Sequence, residues 1–218
     1  MKQTDRNVIM ITAGGVGARF GSSVPKQYVE MNGRKVIAYV IDACRKARMA
    51  DALLVVAHPS YHEELTREFG VEVAASGPEL NVTKRNGLDY IREHAPQCEK
   101  VIVADAVRPA VESSVLDRFF RLLDDYDAVA CAHKITDSLG RHGQWIVNRE
   151  EYYTLSAPEA FRFPLIDRCF RADSPLTESI QQLPETSRVC LDFDVPYYDK
   201  LTYPEDLAKI QSIMSRRL

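Results

Sequence analysis

The sequence has no long apolar run. Its first one, Val8 to Ala13, covers only six residues. That is too short for a bilayer span or a secretory leader, so a cytoplasmic protein is expected. There is no basic block: 28 Lys and Arg stand against 31 Asp and Glu, a formal net charge of −3. Nothing therefore points to nucleic acid or an anionic membrane as partner. Five cysteines, at 44, 98, 131, 169 and 190, are an odd number without a C-x-x-C pair. They read as reduced thiols. His58 and His62 are separated by Pro59, which argues against a shared helical face, so both read as structural or solvated rather than as metal ligands. Two familiar phosphate loops are also missing. In G-x-G-x-x-G, Phe20 stands where Gly15-Val-Gly17 would require a further glycine, and no Gly-Lys-Ser/Thr completes a P-loop. No repeat, linker or low-complexity segment is present.

What remains is an ordinary globular composition, 45% hydrophobic and 27% charged over 218 residues. That length suits one α/β domain, residues 1–218. Apolar runs at Val8–Thr12, Ala52–Ala57, Val71–Ala75, Lys100–Asp105 and Asp127–His133 read as strands. Helical stripes at Val36–Ala47, Tyr61–Phe69, Thr83–His94 and from Ser113 or Ser114 to Tyr126 alternate with them. The alternation predicts a Rossmann-like, mostly parallel sheet with helices on both faces. Later come short helices at Pro164–Arg171 and Thr177–Leu183, a strand at Val189–Asp194, and a last helix opened by a capping box, Thr202-Tyr-Pro-Glu205.

The most informative stretch is Ile11-Thr-Ala-Gly-Gly-Val-Gly-Ala-Arg-Phe-Gly-Ser-Ser-Val-Pro-Lys-Gln-Tyr28. Ala13, Gly14, Gly15 and Gly17 follow the first strand. Glycines let backbone N–H groups approach a ligand, and Arg19 and Lys26 add two cations. The natural guest is a polyphosphate; the plainer alternative is a turn joining strand to helix. Asp105 closes another strand. A carboxylate there suits Mg²⁺, which takes a few carboxylate oxygens together with substrate phosphates; alternatively it only pairs with Arg108. Ligands on such sheets sit beyond the carboxyl ends of the strands.

Residues 134–153 break the pattern. They carry Gly140, Gly143, Trp145, Ile146 and Val147 and read as a β-hairpin arm needing a partner surface, or as a flap over the same chain. Asp137 and Ser138 could form a turn, and Arg149 could be a solvated charge.

The A-G-G-x-G-x-R loop followed by P-K-Q-Y resembles that of the sugar- and polyol-phosphate cytidylyltransferases, the group acting on 2-C-methyl-D-erythritol 4-phosphate or ribitol 5-phosphate. The resemblance spans nearly the whole chain. Asp105-Ala-Val-Arg-Pro109 is similar to H-D-A-[AV]-R-P, with Ala104 in place of the histidine. Asp199-Lys-Leu-Thr-Tyr-Pro-Glu-Asp-Leu207 is close to N-I-K-[VI]-T-x-P-x-D-L. Thr177-Glu-Ser is a weak match to T-D-[ED], and Ser156-Ala-Pro-Glu159 replaces Q-T-P-Q. In G-G-x-x-R-x-x-S-[VI], Thr83 stands for the serine and Leu80 for the arginine.

The resemblance implies CMP transfer from CTP to a polyol phosphate with release of pyrophosphate. It implies that Ala13, Gly14, Gly15, Gly17, Thr83 and Asp105 hold nucleotide, with Mg²⁺ at Asp105. Arg19 and Lys26 would hold the triphosphate and Lys200 the α-phosphate. Asp137, Ser138, Thr177 and a partner's Arg149 would face the acceptor, the arm being exchanged in a homodimer. Details of the loop, of Asp105-Ala-Val-Arg-Pro109 and of Arg149-Glu-Glu-Tyr152 lean slightly to the ribitol-phosphate branch. Isoprenoid or cell-wall polyol metabolism would be the setting. Leu80, Ala104 and Ala157 keep open a transferase using another nucleoside triphosphate, or an inactive nucleotide-binding subunit.

Overall fold

The computed structural model describes residues 1–216 apart from Val16, Ala18, Arg19 and Ser23. In chain order the elements are β1 (Asn7–Ala13), β2 (Glu30–Met31), β3 (Arg34–Lys35), α1 (Val36–Lys46), β4 (Ala52–Ala57), α2 (His62–Phe69), β5 (Glu72–Ala75), α3 (Leu80–His94), β6 (Lys100–Asp105), α4 (Ser113–Leu122), β7 (Ala128–Lys134), β8 (Tyr153–Arg162), α5 (Phe163–Cys169), β9 (Val189–Asp192) and α6 (Pro204–Ser215). Seven strands form one sheet in the order β5-β4-β1-β6-β8-β7-β9, and β2 pairs with β3 apart from it.

Alternation along β1 puts its side chains into two layers. Ile9 and Ile11 pack with Ile37, Val40 and Ile41 of α1 and with Leu116 and Phe119 of α4. Val8 and Met10 face the other way, against Leu88 and Ile91 of α3 and Ile166 of α5. A strand buried on both faces needs an unbroken apolar run, and Val8–Ile11 supplies it. The mostly parallel sheet covered on both faces is thus as expected.

Three features differ from the sequence reading. First, β8 is a ten-residue strand that periodicity did not reveal; it runs antiparallel to both β6 and β7. Pro158 sits within it, and the pairing with β7 shifts register between Ala130 and Cys131, passing over Ala157 and Pro158. A bulge is where a sheet tolerates a residue lacking an N–H.

Second, several helix ends move. α3 begins at Leu80 rather than Thr83, α4 has Glu112 rather than a serine at its N-cap, and the Thr177–Leu183 helix reduces to a 3₁₀ turn at Ser179–Gln182. The final capping box lies one residue later than expected: the Asp206 carboxylate accepts from the Thr202 and Tyr203 N–H groups, both at 2.8 Å.

Third, the hairpin expected in residues 134–153 is reduced, among the described residues, to one bridge between Arg141 and Gln144 around Gly143. A short 3₁₀ turn follows at Arg149–Glu151. Trp145 is 91% exposed and Ile146 77%. The segment lacks the period-two alternation that would hold a ladder on its own face.

Among the described residues no helix is long and apolar enough to cross a membrane. Phe119 is fully buried between α4 and the sheet. Phe119→Ala should cost about 3–5 kcal/mol of folding stability. Urea unfolding measures it, and a loss below about 1 kcal/mol would contradict its place in the core.

Candidate active site

The chain passes from β1 to β4 on one side and, after α3, returns to β6 on the other. Strand order therefore reverses between β1 and β6, where a crevice opens beyond the strand ends. A cavity of about 330 Å³ lies there. It is lined by Ala13, Gly14, Gly15 and Gly17 after β1, by Lys26 and Gln27, by Gly77 to Leu80 and Thr83 at the start of α3, by Asp105 to Val107, and by Lys200 and Thr202.

The glycine loop is shaped by contact as well as by backbone freedom. A Cβ on Gly14 would lie 2.3 Å from the Ser76 Cβ, so only glycine lets the loop close against the β5–α3 connection. Gly17 has φ +69°, a left-handed conformation that side chains disfavour. Gln27, which the sequence reading had not singled out, is buried and holds this loop. Its Nε2 donates to the Ala13 carbonyl at 2.7 Å and to the Gly15 carbonyl at 2.9 Å. With both carbonyls taken up by one amide, they turn away from a guest that needs N–H donors. Its place in the Pro25-Lys-Gln-Tyr28 run was the available signal. Tyr28 ends the loop by stacking on Tyr61 with ring centroids 4.0 Å apart. On the facing wall, the Gly77 N–H donates to Thr83 Oγ1 at 3.1 Å.

Asp105 is the centre of charge. Its Oδ2 lies 3.0 Å from Lys200 Nζ and 3.4 Å from Arg108 Nε, and its Oδ1 accepts from Thr12 Oγ1 at 3.3 Å. Burial alone would push this carboxyl up. The charges of Lys200 and Arg108 outweigh it and hold the pKa at about 2. Asp105 pairs with Arg108 and Lys200, and it also lines the cavity. Among the described residues no group of three or more His, Cys, Asp and Glu could cage a metal ion. A single ionised carboxylate lining the cavity fits the donor chemistry of Mg²⁺, which keeps most of its shell as water and substrate oxygen.

The other expected residues lie elsewhere. Arg19 is outside the described residues. Asp137 and Ser138 are exposed and do not line the cavity. Arg149 donates to the Thr136 carbonyl and pairs with Glu150 at 3.3 Å, beside a separate hollow with Tyr152, Tyr153 and Phe193. Thr177 is exposed, but its carbonyl accepts from Lys84 Nζ at 2.8 Å. The sequence reading also missed Glu159. It is buried on β8 and accepts from the Ser179 N–H at 3.1 Å and the Ile180 N–H at 2.9 Å. Leu80, 40% exposed, stands at the cavity edge where the resembled pattern has arginine.

Next to these, Glu178 has its pKa pushed up to about 7, by burial first and then by the charge of Glu159; Asp105 acts in the same direction, while Lys84 and Lys200 oppose. An unfolded glutamate loses its proton near pH 4.3. Between that pH and about 7 the folded chain holds more protons than the unfolded one, so the stabilisation is full at low pH and is lost as pH rises through this window. Asp105 acts in the opposite sense and lower down, losing its contribution only as pH falls toward about 2. Glu178→Gln should therefore flatten the fall in urea stability between roughly pH 5 and pH 7. Parallel profiles for the two proteins would contradict the shift.

Comparison with known proteins agrees with the fold. The model of the 2-C-methyl-D-erythritol 4-phosphate cytidylyltransferase family, IspD, matches residues 7–216. An enzyme of that name from Porphyromonas gingivalis is 32% identical over 181 residues, covering 78% of each chain. One from Clostridium botulinum is 24% identical over 229 residues, covering 97% of this chain and 98% of its own. The crystal structure of the 4-diphosphocytidyl-2C-methyl-D-erythritol synthase from Anaerococcus prevotii superposes with a TM-score of 0.83 at 21% identity, over 97% of this chain and 96% of that one. By the extent of the family match and the identity to its members, the chain belongs to the 2-C-methyl-D-erythritol 4-phosphate cytidylyltransferase family.

Proposed function

We propose that the protein transfers CMP from CTP to 2-C-methyl-D-erythritol 4-phosphate or a closely similar polyol phosphate, releasing pyrophosphate. The observation that carries the reading is the gathering of the glycine loop, Lys26, Lys200 and Asp105 around one cavity at the switch point of the sheet, in a chain of this family. The slight lean of the loop sequences toward ribitol phosphate finds no support among the relatives described above, which carry the methylerythritol name.

An oxygen of the acceptor phosphate attacks the α-phosphorus of CTP, and the bond to the β-phosphate oxygen breaks. The attacking phosphate is already anionic, so no general base is required, and no His or Cys is among the described residues that line the cavity. The work falls to positioning and charge. The loop N–H groups, Lys26 and, from the sequence, Arg19 take the triphosphate and the developing pyrophosphate. Lys200 takes the α-phosphate; exchanging its Asp105 partner for a phosphate oxygen keeps its charge compensated. Thr83 fixes the wall against which the nucleotide lies. Asp105 would hold Mg²⁺ with the phosphates, and the ion would supply further neutralisation of the triphosphate charge.

Asp137, Ser138 and Arg149 lie outside the cavity of the single chain, so their acceptor role requires the 134–153 arm of a second copy. Exposed Trp145 and Ile146 give that arm an apolar surface to bury. A two-fold homodimer with shared sites is the assembly proposed.

Turnover assayed with each of four nucleoside triphosphates and with methylerythritol and ribitol phosphates tests the reading: CTP with the methylerythritol ester should be fastest, and absence of pyrophosphate release with every pair would refute it. Lys26→Ala should fold normally and lower kcat by about a hundredfold or more; a near wild-type rate would remove Lys26 from the site. Mixed with Arg149→Ala under conditions of subunit exchange, it should regain activity, because one site of each mixed dimer then lacks both defects. Exchange without recovery would defeat the shared site.

A further inference from the structure

Inside α3, one turn beyond the cavity edge, lies a lysine with almost no exposure. Lys84 is 4% exposed. Its Nζ donates to the Thr177 carbonyl at 2.8 Å and to Ser179 Oγ at 2.9 Å, and stands 3.5 Å from Glu159 Oε2. The ammonium thus makes two hydrogen bonds and one ion pair. Glu159 in turn accepts the N–H groups of Ser179 and Ile180. One residue from the helix start, Asn81 Nδ2 donates to the carbonyls of Ser174 and Leu176, at 2.9 and 2.8 Å. Residues 174–180 have no helix or strand to fix them before the 3₁₀ turn at Ser179. Five of their backbone groups, the carbonyls of Ser174, Leu176 and Thr177 and the N–H groups of Ser179 and Ile180, are bound instead by three side chains from α3 and β8.

A buried ion pair is a poor source of stability, since desolvation offsets most of the attraction. Here the geometry points to another use. The segment it fastens hangs on Asn81 and Lys84, which sit directly beside Leu80 and Thr83 of the cavity wall on the same two turns of α3, so it is anchored next to the cavity. It includes Thr177, which by resemblance faces the acceptor.

We propose that Lys84 is a positioning residue for the acceptor. By gathering the Thr177 carbonyl, the Ser179 hydroxyl and the Glu159 carboxylate, it sets the 174–180 segment, and with it Thr177 and Glu178, at the acceptor side of the cavity. The inference rests on the cytidylyl-transfer reading. It assigns to α3 two tasks: its first turn walls the nucleotide cavity, and its second turn holds the acceptor segment.

The experiment compares wild type with Lys84→Met and with the double variant Lys84→Met/Glu159→Gln, using CTP with methylerythritol and ribitol phosphates. Lys84→Met alone leaves Glu159 buried and unpaired and should lower stability. The double variant removes that charge and should recover most of it, without restoring the ammonium that holds Thr177 and Ser179. Both variants should raise KM for the acceptor by roughly tenfold, since small misplacements of positioning groups carry such costs. KM for CTP should stay within about twofold, and amide exchange at Ser179 and Ile180 should quicken. Ser179→Ala, which removes one partner and no charge, should show the same KM split at smaller size, and it decides the matter if the Lys84 variants do not fold. The proposal is overturned if the double variant regains wild-type acceptor KM along with its stability, or if both KM values change together. It is equally overturned if exchange at Ser179 and Ile180 is unchanged. A wild-type protein inactive with both acceptors would instead refute the proposed function, while the exchange measurement would still report on what Lys84 holds.

Discussion

The carboxylate of Asp105 is the knot of this structure. It stands at the end of β6, takes a hydroxyl from Thr12 on the neighbouring β1, and draws in the guanidinium of Arg108 and the ammonium of Lys200. Lys200 comes from almost a hundred residues further along the chain. Its arrival is secured beside the carboxylate as well: the Leu201 N–H donates to the Val107 carbonyl at 2.9 Å, and Arg108 donates to the carbonyl of Tyr198. A parallel sheet leaves its strand ends open. Here a mostly buried negative charge, kept ionised by two cations, ties the C-terminal segment across that opening.

The sequence displayed those parts of the molecule that follow a single local rule. The strands β1, β4 and β6 lie between helices, and their apolar runs stood out because both faces are covered. The loop after β1 stood out because four glycines and two cations so close together have few other uses. The parts set by distant contacts were harder to see. β8 was hidden by Pro158, a residue that normally excludes an inner strand and is accommodated only because β7 shifts register opposite it. Gln27 looked like an ordinary polar residue; its role depends on two carbonyls that converge only once the loop has closed. The Thr177–Leu183 stretch has the composition of a short helix, but buried partners claim its first backbone groups and leave a single 3₁₀ turn.

Two departures from the resembled pattern gain a physical account together. Glutamate replaces glutamine at position 159, and α3 carries Lys84 beside Thr83. A buried glutamate alone would be costly. With the lysine across from it and two backbone N–H groups on its oxygens, its charge is compensated. Neither substitution makes sense without the other, and the pair is a feature this chain's own geometry explains. Leu80 is different: it is partly exposed at the cavity edge, an apolar side chain where the pattern has a positive charge.

These charges divide unevenly around the crevice. On the glycine-loop side the fixed groups are N–H donors and lysines, suited to a guest carrying several negative charges. Glu178 has its pKa raised to about 7, by burial first and then by the charges of Glu159 and Asp105, against the opposing pull of Lys84 and Lys200. A carboxyl that holds its proton toward neutral pH can donate a hydrogen bond as well as accept one. The division follows from which helix and strand ends meet at the switch point.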